Sequence, residues 1–140
     1  MRKLLFALAL AAALTAVLPA LAQGEVDEVR TQIGENHVAY PQLKGMADEE
    51  IQTKINDDIV LSSGVANHLV TLATLGDSPW GLKVDYEVTM LTEDVFSAVM
   101  NAQGKMPDGR EGQAYAALTY DLATGERLSM IIQIEERLAG

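Results

Sequence analysis

From Asp48 onward the apolar positions fall at helical spacing. Ile51, Ile55 and Ile59 recur every fourth residue, and Ala66, Leu69, Val70 and Ala73 continue the stripe. Asp48, Glu49 and Glu50 open this stretch, where carboxylates complement the positive end of a helix dipole. Gln52, Lys54, Asp57 and Asp58 are expected on the opposite, wet face. Ser62-Ser63-Gly64 weakens the middle, because these residues are poor helix formers. The pattern predicts helix from about Asp48 to Leu75, in one piece or two, stopped by Gly76-Asp77-Ser78-Pro79.

Elsewhere the period is two. Leu82, Val84, Tyr86, Val88 and Met90 alternate with Lys83, Asp85, Glu87 and Thr89, the pattern of a strand with one dry face and one wet face. Asp94 to Ala102 reads as a second strand of this group, and Ala114 to Leu122 as a third. Gly104 to Gly112, with Pro107-Asp108-Gly109 at its tip, is expected as the hairpin loop between them. Ala123-Thr124-Gly125-Glu126 predicts a tight turn. Leu128, Met130, Ile132 and Ile134 fit a fourth strand, and a short helix through Leu138 fits nearly as well. Before the helix, Val29 to Leu43 predicts one strand or two short ones ending at Pro41, while the acidic Gln23 to Val29 reads as a ragged start. The expected fold is therefore α+β: one long amphipathic helix packed across a curved antiparallel sheet of about four strands, in a single domain over residues 23–140.

The first 22 positions follow neither pattern. Met1-Arg2-Lys3 is basic, Leu4 to Leu18 is apolar apart from Thr15, and Ala20-Leu21-Ala22 has the small-x-small form that signal peptidase reads. That apolar run is 15 residues long, short of the roughly 20 that span a bilayer. Residues 1–22 thus predict a cleaved secretory signal, an exported chain in the periplasm or medium, and no stable membrane insertion after cleavage. Cleavage removes two cations and no acid, taking the net charge from −10 to −12. So acidic a chain is a poor ligand for nucleic acid, whose phosphates need Lys and Arg, and a better one for cationic partners. With no cysteine, disulfides, thiol nucleophiles and thiolate metal sites are excluded.

Little chemistry is legible. His37 and His68 stand far apart with no ligand spacing around them, and no Asp-x-Asp-x-Asp-Gly loop or Gly-x-Ser-x-Gly elbow is present. Neighbouring helical residues point about 100° apart, so neither Asp57-Asp58 nor Asp48-Glu49-Glu50 forms a converging cage. The reading is a non-enzyme without metal or cofactor. Its expected partner-binding residues are Trp80, the single tryptophan, together with Asp57 and Asp58.

Two segments carry a likeness. Val38-Ala39-Tyr40-Pro41-Gln42-Leu43-Lys44-Gly45, followed by Ile51-Gln52-Thr53-Lys54-Ile55-Asn56-Asp57-Asp58-Ile59, is similar to the Tyr-Pro-x-Leu-x-Gly and Gln-x-x-Ile-Asn-x-x-Ile pattern. That pattern marks the extracytoplasmic module of RsiV-type anti-sigma factors and the N-terminal domain of PdaC-type peptidoglycan deacetylases. Tyr120 to Ser129 resembles the same family's Asp-Leu-x-Thr-Gly-x-x-Leu-Ser turn. The resemblance implies an envelope location and a cationic protein such as lysozyme, or a cell-wall component, as partner. It transfers no catalytic residue. The alternatives to such a binding or sensory module are a small envelope enzyme with an unrecognised site and a truncated remnant of a larger family member.

Overall fold

Two strands of nine residues each, β1 (Glu25–Ile33) and β2 (Asn36–Lys44), come first among the described residues. They pair antiparallel through a two-residue turn in which Gly34 takes φ +60°, the left-handed conformation that tight hairpins demand. The computed structural model describes residues 24–76, 81–105 and 109–137. The expected signal, residues 1–22, and Trp80 lie outside them.

Helix α1 (Glu49–Ser62) starts where Asp48 caps it, its carboxylate accepting from the N–H groups of Glu50 at 3.0 Å and Ile51 at 3.1 Å. Ser63 and Gly64 end it, Gly64 at φ +87°, and α2 (Val65–Leu75) sets off at 57° to it. The chain returns as a four-strand meander: β3 (Leu82–Leu91), β4 (Val95–Lys105), β5 (Glu111–Asp121) and β6 (Arg127–Arg137).

All six strands form one sheet in the order β1-β2-β3-β4-β5-β6. Every neighbouring pair is antiparallel except β2–β3, which is parallel and joined over only two residue pairs, His37 with Lys83 and Val38 with Val84. A parallel neighbour requires a crossover, and α1 with α2 provides it. The core lies between these helices and one face of the sheet. Ile55 and Ile59 of α1 and Val65 and Leu72 of α2 are buried among Val38, Leu43, Val84, Phe96, Met100 and Leu118. Phe96 and Tyr120, opposite each other on β4 and β5, stack with ring centroids 6.4 Å apart.

The expectation of one long helix across about four antiparallel strands is overturned. The sheet is mixed and six-stranded, and the helical stretch is two helices. The helix divides because Gly64 adopts a left-handed φ that a continuous α-helix does not contain. The ragged acidic start is the first half of strand β1, whose second half falls in the stretch expected as strand. Acids are disfavoured in strands, but Glu25, Asp27 and Glu28 sit on an end strand whose inward backbone groups pair with β2. Pro41 does not end β2; it pairs with Glu28, past the last β2–β3 partner, where that edge has no strand asking for an N–H. Of the two readings of the last segment, the strand is the one formed.

Among the described residues, no single helix is long and apolar enough to cross a membrane; α1 and α2 together pass by length and composition, but their apolar faces lie in the core.

Candidate functional site

Two asparagines hold the crossover to the first hairpin. The side-chain amide of Asn56 spans the backbone of Leu43, accepting from its N–H at 2.7 Å and donating to its carbonyl at 2.8 Å, as a neighbouring strand would. Gln52 accepts from the Met46 N–H at 2.9 Å, extending this cover of the free β2 edge. Asn36, fully buried, donates to the Gly76 carbonyl at 3.0 Å and accepts from the Leu82 N–H at 2.8 Å. It thereby fixes where α2 ends and β3 begins.

A polar cluster locks α1 to the far strands. Asp58 receives Tyr120 Oη at 2.7 Å, Ser62 Oγ at 2.8 Å, and Arg127 Nη1 at 2.9 Å from each carboxylate oxygen. Arg127 Nη1 also donates to Ser62 Oγ at 2.7 Å. Burial alone would raise the Asp58 pKa, but the hydrogen bonds from Tyr120, Ser62 and Arg127, with the charge of Arg127, outweigh it and hold the carboxyl below its ordinary value. Burial, then the Asp58 carboxylate beside it, pushes the Tyr120 phenol far above the usual range. The cluster ties α1 to β5 and β6. It is a structural lock.

Asp58 is thus not on the wet face where the helical wheel places it. It lies three residues after Ile55 and one before Ile59, on the rim of the buried stripe, with Ser62 one turn further along. Asp57, one residue earlier, is exposed and lines a shallow open groove with Glu49, Glu50, Thr53 and Lys54. Of the three expected partner-binding residues, Asp57 is accessible, Asp58 is occupied, and Trp80 is outside the described residues. Tyr120, Arg127, Asn36 and Asn56 are the residues that sequence reasoning passed over.

The histidines do not meet. His37 Nε2 contacts Asp85 Oδ1 at 3.0 Å, with Arg30 Nη2 at 3.7 Å from the same oxygen. The Asp85 side chain is 56% exposed and that of His37 14%, so the pair has a wet carboxylate over a mostly covered imidazole. His68 lies half-buried on α2, where loss of solvent lowers its pKa. Among the described residues no three His, Asp or Glu side chains converge on a position for a metal ion.

The largest anomaly is apolar. Strand β6 ends the sheet order, and five of its side chains face water: Leu128 at 56% exposure, Met130 at 42%, Ile131 at 66%, Ile132 at 52% and Ile134 at 75%. Met130 and Ile132 stand opposite the buried Leu118 and Ala116 of β5, so the core face of the sheet runs on past the reach of the helices. A single exposed Leu or Ile is ordinary, whereas a contiguous row along a free strand edge marks a contact surface. No protein-family model matches the chain, and no curated protein matches it.

Proposed function

We propose that this chain is an exported, non-enzymatic binding module of the cell envelope, working by contact with protein rather than by chemistry on a substrate. The observation that carries the reading is the uncovered apolar row on β6. Its burial offers roughly 25 cal/mol for each Å² removed from water, and the strand's outer N–H and C=O groups add direction. A second surface, the groove of Glu49, Glu50 and Asp57 on α1, gives the sign of charge that a partner of this face carries. With a net charge of −12 behind it after cleavage of residues 1–22, that groove favours a basic protein such as lysozyme. Export rests on the basic start, the apolar run and Ala20-Leu21-Ala22. The likeness to the RsiV-type and PdaC-type envelope modules supports the same location.

The test is retention of the exported chain on immobilised hen-type lysozyme. Retention at low salt that falls at physiological salt is expected, and Asp57→Lys combined with Glu50→Lys is expected to weaken it about tenfold. Retention that ignores salt and both substitutions, or none at all, removes the basic partner from the proposal.

A further inference from the structure

The free edge of β6 has a property beyond its greasiness: it reads the same in both directions. Around Ile131, Met130 is matched by Ile132 and Ser129 by Gln133, while Leu128, at the bulge where the β5 register shifts, and Ile134 close the row at its two ends. An antiparallel strand laid against β6 with its own Ile131 at the centre sets apolar beside apolar on the core face, and on the other face sets Ile131 beside Ile131 with polar beside polar on either side. A strand of the same pattern does this from residue 129 to residue 133, and β6 of a second copy is such a strand. Two-fold association is self-complementary in this sense.

Charge permits it. Residues 128–134 carry no ionisable side chain in a chain with twice as many acids as bases. Antiparallel pairing also keeps the Glu135 side chains at opposite ends of the contact, where a parallel arrangement would put them side by side. On the core face, Met130 and Ile132 of each copy would continue the row begun by Leu118 and Ala116. Among the described residues, β5 is the only strand that pairs with β6, so its outer backbone groups are available.

Resting on the reading of β6 as a binding edge, we propose that its occupant is a second copy of this chain, joined β6 to β6 antiparallel about Ile131, so that two six-stranded sheets become one continuous sheet of twelve strands. The acidic α1 grooves of both copies stay outside this contact.

The experiment uses the purified exported chain. Its sedimentation mass is expected to double between about 1 and about 100 µM, as suits a short contact. Ile132→Lys with Ile134→Lys, both at exposed positions, is expected to keep the circular dichroism spectrum and sediment as monomer throughout. Because the chain has no cysteine, Ile131→Cys is expected to cross-link to itself on mild oxidation. Ser129→Cys is expected to stay unlinked, since two such positions would lie about 13 Å apart, beyond disulfide reach. A parent that stays monomeric, or equal cross-linking of both cysteine variants, overturns the pairing. Lysozyme retention reports separately: a monomeric parent that still holds lysozyme loses the second copy and keeps the binding module. A dimer that holds none keeps the second copy and loses the basic partner.

Discussion

Asp58 is a charge placed among partners rather than toward solvent. Three side chains donate to its carboxylate, and the Tyr120 phenol among them is fully buried. A carboxyl held below its ordinary value of 3.8 contributes stability that is complete above that pH and is lost as pH falls through the lower, folded value. Asp58→Asn is therefore expected to be less stable than the parent at pH 7, with the difference shrinking as the pH drops below about 4. Urea unfolding of both proteins across pH 2.5–7 measures it, and a constant difference would refute the lock. The residue was legible only in part. Ser62 lies one helical turn beyond Asp58, a spacing visible in the sequence. Tyr120 and Arg127, 62 and 69 residues away, are brought in by the meander. An asparagine that imitates a strand, as Asn56 does at Leu43, has no periodic signature at all.

At the level of elements, the clearest successes are those whose faces differ most. Strand β3 matches its alternation from Leu82 to Val88, after which a register shift leaves Met90 exposed, and the Ala123 to Glu126 turn is where Thr124 and Gly125 place it. The first half of strand β1 was hidden because acids outnumber Val26 and Val29 there, so its pairing rather than its composition makes it a strand. The turn before β6 carries an exacting glycine. Gly125 has φ +76°, and a Cβ there would stand 3.1 Å from Lys54 Cδ and 3.3 Å from Ile51 Cγ2 on α1. Gly125→Ala is expected to cost about 1–2 kcal/mol, read as a melting temperature lower by about 5 °C. Gly45, with a similar φ of +72° and nothing within 4 Å, isolates the conformational part. Gly45→Ala should therefore be the milder of the two.

For the molecule as a whole, the layer arrangement of helices on one sheet face follows from the amphipathic stripes, whereas the number of strands and the parallel neighbour do not. Period-two patterns mark strands but not their partners. The crossover from β2 to β3 depends on which edge the returning chain meets. The uncharged row of β6 is visible in the sequence as Leu128, Met130, Ile132 and Ile134, yet it reads there as core. Only its place at the end of the sheet turns it outward.

The narrow junction between β2 and β3 divides the molecule into two neighbourhoods of different persistence. The meander from β3 to β6 is knit by long antiparallel ladders between chain neighbours. The first hairpin reaches it through two ladder pairs, the Asn36 amide and the shared core, and the helices add the Asp58 cluster with Tyr120 and Arg127. Opening of the first unit without the second is the cheapest large fluctuation this architecture allows. Deuterium should accordingly enter the amides of β1 and β2 well before those of β4 and β5, and Asn36→Ala should widen the gap by hastening the first group alone. Uniform exchange across both groups would mean the sheet breathes as one body.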